Sequence, residues 1–183
     1  MKNRYLLRVI SGRYKGKGIL SPEGLDVRPT SQRVKDSLFN IIRTELYGKD
    51  FLDIFSGTGQ MGIEAVSNGA HATFVDADTS LVRKNVFEIL KNENSEIIRG
   101  DFNNVLKNMA EKNKRFDFIF ADPPYNEGLY LNIIECSLPL LNDDGVLILE
   151  HSSDFDIENL GNFNVVDKRL YGSRSLTFLG GIK

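Results

Sequence analysis

This chain has little of several residues that would mark other kinds of protein. One cysteine, Cys136, occurs in 183 residues. A lone thiol excludes an intrachain disulfide and points to a reducing compartment. The apolar patch in "MKNRYLLRVI" is far too short for a signal h-region or a membrane span, so the expected location is cytoplasmic, with no membrane partner. There are two histidines, His71 and His151. Each reads as structural or exposed rather than catalytic, and no metal is expected. Low-complexity segments, long linkers and internal repeats beyond a strand–helix rhythm are absent.

Positive charge is also short overall, at a net −2. Its distribution is uneven. Residues 1–43 hold ten Lys/Arg against three Asp/Glu, a net of +7 that leaves −9 for the remainder. A basic arm on an acidic body suits a polyanion met at one end. "RYKGKG" mixes cations, an aromatic and flexible glycines, so Arg13, Lys15 and Lys17 are the candidate nucleic-acid contacts.

From residue 51, short apolar runs alternate with helical patterns. The runs are "FLDIF", "ATFVDA", "SEIIRGD", "FDFIFAD" and "GVLILEH". Such alternation means βαβ units and a mostly parallel sheet. "NFNVVDKRLYGSRSLTFLGG" reads as two further strands around a Tyr-Gly-Ser turn, too close for a helix between them and therefore antiparallel. The expected fold is α/β: a seven-stranded, mostly parallel sheet with an antiparallel last strand. Ahead of it, "YLLRVISGRYKGKGIL" reads as a hairpin turned by Gly12 and Gly16. "RPTSQRVKDSLFNIIRTEL" reads as a helix capped by Thr30 or Ser31, with Val34, Leu38, Ile41, Ile42 and Leu46 on one face.

Ligands of open α/β sheets sit beyond the carboxyl ends of the strands. Acids stand there at Asp53, Asp76, Asp101, Asp122 and Glu150. Any one could be a helix cap; five together suit a cationic or hydroxyl-rich ligand. "DIFSGTGQMG" places Gly57, Gly59 and Gly62 in a G-x-G-x-x-G turn, and Asp76 ends the next strand nineteen residues after Gly57. Read alone, that is the dinucleotide-binding fingerprint. No Gly-Lys-Ser/Thr follows, which excludes a P-loop. A dinucleotide needs its pyrophosphate at the helix start. An acid at Asp53 is better matched to the amino group of S-adenosylmethionine, and Asp101 to an adenine edge.

"FADPPYNEG" carries the chemistry. Proline cannot donate to a ladder, so the strand stops at Asp122. An exocyclic amine is a poor nucleophile because its lone pair is delocalised into the ring. Two acceptors on its hydrogens, the Asp122 carboxylate and the Pro123 carbonyl, favour the pyramidal form. The stiff Pro123-Pro124 pair holds them in place, and Tyr125 offers a stacking face. A guanine amine and an adenine amine would both fit this pair of acceptors.

The sequence as a whole resembles the ribosomal small-subunit methyltransferase D family. "RVISGRYKGKGI", "RPTSQRVKDSLFNII", "LDIFSGTGQMGIEAVSNGA", "FVDAD", "FDFIFADPPY", "GVLILEH" and "RLYGSRSLTF" follow its order over nearly all of the chain. The resemblance implies a Rossmann-like class I methyltransferase that uses S-adenosylmethionine. The substrate it implies is N2 of guanine 966 of 16S ribosomal RNA, in the small subunit or an assembly intermediate. It implies a basic hairpin extension at residues 1–28 and a methyltransferase domain at 29–183. In this sequence Asp53, Gly57 and Gly59 would hold the methionine part, Asp76 the ribose, and Asp101 with Phe102 the adenine. Thr30 and Arg33 would border the site, with Phe39 and Asn40 nearby, and Asp122 to Tyr125 would receive the flipped base. Two departures stand out: Asp76 where relatives often carry Glu, and Gln60 where a small residue is usual. Methylation of adenine N6 or cytosine N4 in DNA is the alternative, and no apolar seam is left over for an oligomer, so a monomer is expected.

Overall fold

The computed structural model describes residues 7–22, 29–124, 127–157 and 164–180, without the side chains of 29–33 and 127. Seven strands form one sheet: β3 (Asp50–Ile54), β4 (His71–Asp76), β5 (Ser95–Arg99), β6 (Phe116–Ala121), β7 (Leu141–Ser152), β8 (Asn164–Tyr171) and β9 (Arg174–Gly180). They lie in the order β5-β4-β3-β6-β7-β9-β8. β9 runs antiparallel to both its neighbours, and the other pairings are parallel. A two-stranded hairpin, β1 (Leu7–Arg8) with β2 (Gly18–Ile19), stands apart from this sheet. Fold class, strand direction and the closing β8–β9 hairpin agree with the sequence reading.

The central strands are nearly continuous apolar runs because helices cover both faces. On one face, α4 (Phe102–Glu111) and α5 (Glu127–Ser137) pack Phe102, Leu106, Tyr130 and Ile133 against Leu52, Ile54, Ile119 and Leu149. On the other, α1 (Pro29–Ile42) packs Val34, Leu38, Phe39 and Ile42 against Phe51, Phe118, Phe120 and Ile148. α2 (Gln60–Ser67) and α3 (Ser80–Asn85), which runs on to Leu90 through a wide π turn, share a third cluster with Leu7, Val9 and Ile19 of the hairpin. Side chains alternate across a strand, so the partners of Phe51, Phe118 and Ile148 two residues on share their face. Asp53, Phe120 and Glu150 therefore lie on the α1 side, and Asp122 continues that row just past β6.

Two local readings are corrected. α1 starts at Pro29, so Thr30 and Ser31 belong to its first turn and do not cap it. Proline is suited to that first position because its missing N–H would have no helical partner there. The hairpin strands have only two residues each. The loop between them closes on itself through Val9 N–H to Lys17 O (3.0 Å) and Gly16 N–H to Val9 O (2.8 Å).

A buried polar clip fastens that loop. Glu64 on α2 is fully buried and accepts from Ile10 N–H (2.9 Å), Ser11 N–H (2.8 Å) and Ser11 Oγ (2.7 Å). Lys35 on α1, also buried, donates to Arg8 O (3.0 Å) and stands 3.9 Å from Glu64. Burial pushes the Lys35 ammonium pKa down, and the Glu64 charge opposes that. Among the described residues, no helix is long and apolar enough to cross a membrane.

Candidate active site

The glycine turn lies between β3 and α2. Phe55, Gly57 and Gly59 all have positive φ, at 62°, 51° and 77°. Gly59 must lack a side chain for a second reason: a Cβ there would sit 2.6 Å from Val82 Cγ2. Gly62 is helical, but its Cβ would sit 2.3 Å from Phe74 Cε1, so glycine is what lets α2 close on β4. Asn85 on α3 holds the turn from behind. Its Nδ2 donates to Thr58 O (2.8 Å) and to Leu20 O (3.0 Å), tying the hairpin exit to the cofactor turn.

Three of the predicted acids meet around this turn. Asp53 is 1% exposed and accepts from Gly62 N–H at 2.9 Å. Burial first, then the charges of Asp76 and Asp122, push its pKa up to about 7 against the pull of the Gly62 hydrogen bond. Asp76 ends β4 and accepts from Gly57 N–H (2.7 Å) and Asp78 N–H (2.9 Å). Asp122 follows β6 with 46% of its side chain exposed. The surrounding protein, then Glu150, raise its pKa to about 7, and Arg174 opposes them. Pro123 is buried and Pro124 exposed.

Asp101 fills the capping role open to any strand-end acid. It starts α4 and accepts from Asn104 N–H at 3.3 Å. The next residue, Phe102, lies against Phe55 with ring centroids 5.0 Å apart. Glu150 is not the end of its strand, since β7 continues to Ser152. Thr30 and Arg33 lie on the first turn of α1, their side chains outside the described residues; Tyr125 lies outside them altogether.

These residues fit S-adenosylmethionine. The turn leaves close backbone approach at Gly57, where an added Cβ would meet nothing nearer than 3.9 Å. A buried carboxylate at Asp53 suits the cationic methionine end, and Asp76 can accept from ribose hydroxyls.

The family model described as Conserved hypothetical protein 95 matches residues 7–180. The Bacillus subtilis protein named Putative rRNA methyltransferase YlbH is 34% identical over 91% of this chain and 94% of its own length. Ribosomal RNA small subunit methyltransferase D of Haemophilus influenzae is 30% identical over 91% of this chain and 89% of its own. The chain belongs to the ribosomal small-subunit methyltransferase D family. The solved structure described as a putative methyltransferase yhhF from Escherichia coli superposes with a TM-score of 0.81 at 26% identity, covering 97% of this chain and 99% of that one.

In this member of the family, the candidate RNA contacts are not brought to the rim of Asp122. Arg13 N–H donates to Ser67 O (2.7 Å) at the far end of α2. Eight residues at 1.5 Å rise separate that end from the glycine turn, about 12 Å along the helix. The Arg13 guanidinium pairs with Glu93 at 2.9 Å, and Lys15 and Lys17 are exposed nearby. Arg13, with Tyr47, Ser67 and His71, lines a cavity of about 610 Å³.

His151 is buried, with Nε2 2.8 Å from Thr177 Oγ1 and its pKa lowered by burial; His71 is exposed. Sequence reasoning missed Arg174 and Asn85. A cation was the signal to seek beside so many acids, and an asparagine among Val82, Val86 and Ile89 was the signal for a buried hydrogen-bonding role.

Proposed function

We propose that this protein transfers the methyl group of S-adenosylmethionine to a base amine of 16S ribosomal RNA in the small subunit or its assembly intermediate. The amine is N2 of guanine 966. The observation that carries the reading is Asp122: a half-exposed carboxylate at the end of β6, followed by the rigid Pro123-Pro124 pair and one strand away from Asp53 and the glycine turn. S-adenosylmethionine supplies an electrophilic methyl on a sulfonium. Asp53, Gly57 and Gly59 hold its methionine end, Asp76 its ribose, and Asp101 with Phe102 its adenine, with Thr30 and Arg33 at the border.

Asp122 and the Pro123 carbonyl accept from the two amine hydrogens and turn the lone pair outward. As the N–C bond forms and the S–C bond breaks, one N–H proton passes to Asp122. A pKa near 7 suits that carboxylate to take a proton at neutral pH and return it to water. Tyr125 stacks on the extruded base. Arg13, Lys15 and Lys17 contact phosphates away from the target nucleotide. The protein works as a cytoplasmic monomer.

The test is transfer of labelled methyl to small subunits lacking the modification, to naked 16S RNA and to duplex DNA, followed by nucleoside analysis. N2-methylguanosine at position 966, lost in Asp122→Ala while cofactor binding persists, is the expected result. Methyladenine or methylcytosine in DNA would overturn the substrate and keep the chemistry of Asp122. No transfer to any acceptor by a cofactor-binding protein would overturn the enzyme reading.

A further inference from the structure

Strands β6, β7 and β9 are consecutive in the sheet, and each sends one charged group to the same place. Asp122 follows β6, Glu150 lies on β7 and Arg174 opens β9. Arg174 pairs through Nη1 with Glu150 Oε1. The same nitrogen stands 3.7 Å from Asp122 Oδ1, outside hydrogen-bond reach. Exposure orders the three: the Glu150 side chain is 7% exposed, Arg174 15% and Asp122 46%. Two carboxylates thus face one guanidinium: the buried one is hydrogen-bonded to it, and Asp122 stands only at ion-pair distance.

An arginine beside two acids would ordinarily fork onto the nearer or less hydrated carboxylate. If it closed on Asp122, that carboxylate would be a filled acceptor and a weak base. We propose that Glu150 is a positioning residue, one that claims the Arg174 guanidinium and so leaves the Asp122 oxygens open to the substrate amine. The inference rests on the amine-accepting role given to Asp122 above.

The described charged groups that bear on Asp122 come from three strands: Asp53 on β3, Glu150 on β7 and Arg174 on β9. Glu150 pushes the Asp122 pKa up and Arg174 pulls it down. Glu150→Gln removes the push and releases the guanidinium towards Asp122. Both changes lower the Asp122 pKa, by about one pH unit or more for a charge at this separation. Removing Arg174 as well takes away the group that would quench Asp122.

The experiment compares wild type, Glu150→Gln, Arg174→Met and the double variant with two readouts. The first is the 13C carboxyl titration of Asp122 in the protein without RNA or cofactor, its resonance identified with Asp122→Asn. The second is the pH profile of kcat for methyl transfer, with KM for S-adenosylmethionine followed in parallel. In Glu150→Gln the Asp122 midpoint falls by about one unit or more, the acid limb of kcat moves down with it, and plateau kcat drops at least about tenfold. KM for the cofactor stays within about twofold.

The double variant recovers most of the missing plateau kcat and matches Arg174→Met in plateau kcat, with a lower Asp122 midpoint because the Glu150 charge is gone. That comparison also serves if Glu150→Gln alone does not fold. An unmoved Asp122 midpoint in Glu150→Gln would overturn the proposal, as would a double variant no better than that single. The expected titration pattern in a protein whose wild type methylates no amine would overturn the functional reading and leave the hold on Arg174 standing.

Discussion

Replacing Asp53 by Asn exposes a conflict between stability and cofactor binding. Asp53 is 1% exposed, and its pKa rises from 3.8 to about 7, first because burial penalises its charge. The unfolded chain releases this proton near pH 4, whereas the folded protein keeps it to about pH 7. Between those values the folded state binds more protons, so stability falls as pH rises. The loss is complete above pH 7. At 1.36 kcal/mol per unit, a rise of about three units corresponds to ~4 kcal/mol, an order-of-magnitude figure. Asparagine keeps the shape, and its carbonyl can still accept from Gly62 N–H, which lies 2.9 Å from the present carboxylate.

Asp53→Asn is therefore expected to be more stable than wild type without ligand. The advantage should be small near pH 4.5 and grow to a plateau above pH 7. Urea unfolding of both proteins across pH 4.5–8.5 measures it, and groups common to both cancel in the difference. The same variant should lose the stabilisation that S-adenosylmethionine gives the wild type, because it removes the carboxylate proposed to hold the cationic methionine end. A stability difference that does not change with pH would refute the buried-charge reasoning. Undiminished cofactor affinity in Asp53→Asn would refute the assignment of Asp53 to the cofactor.

Other substitutions test the surroundings of the site. Gly62→Ala drives a methyl to 2.3 Å from the Phe74 ring, and should cost about 1–3 kcal/mol or more by overpacking. Gly57→Ala meets nothing nearer than 3.9 Å, so its cost should be the ~1–2 kcal/mol of a left-handed residue; a Gly62→Ala melting shift smaller than that of Gly57→Ala would contradict this packing. Glu64→Gln leaves Lys35 buried without its counter-charge and should cost about 3–5 kcal/mol in urea unfolding. Adding Lys35→Met should return part of that stability, and a strictly additive double variant would show that the two groups do not interact. Replacing Arg13, Lys15 and Lys17 together by Ala should make the slope of log affinity against log salt shallower, by about 0.7–0.9 for each RNA phosphate that is no longer neutralised. An unchanged slope would remove the loop from the RNA interface.

What could be read from the sequence was local in the chain. The runs around Phe51, Phe74 and Phe118 announce strands because each is buried on both faces. Gly57, Gly59 and Gly62 announce the turn because side chains rarely adopt the left-handed conformation of the first two, and a Cβ on either of the last two would collide with Val82 or Phe74. Asp122 shows itself by the two prolines behind it. What was not legible arises when distant segments meet. Arg174 reaches Asp122 only because β9 inserts beside β7, an order that no local pattern encodes. Lys35 and Glu64 have the spacing of ordinary solvated helix charges until the hairpin covers them. Arg13 reads as part of a free basic arm, yet its backbone is fixed to Ser67 and its guanidinium to Glu93.

The same geometry separates the two adenosine cofactors that the glycine turn alone leaves open. Asp53 and Asp76 already accept from the amides of Gly62 and Gly57. A pyrophosphate placed at this turn would compete with those carboxylates for the same donors and add negative charge beside two acids with pKa values raised to about 7. A sulfonium or ammonium does the reverse. It relieves the repulsion, draws Asp53 and Asp122 towards ionisation, and makes cofactor binding release protons near neutral pH. The site is therefore primed for a cation by the charges that weaken the empty fold. On that reasoning S-adenosylmethionine should bind more tightly as pH rises from 6 to 8, and titration in buffers of different ionisation enthalpy should register the protons released. An affinity that falls over that range would mean that the acids of this rim do not face the cofactor.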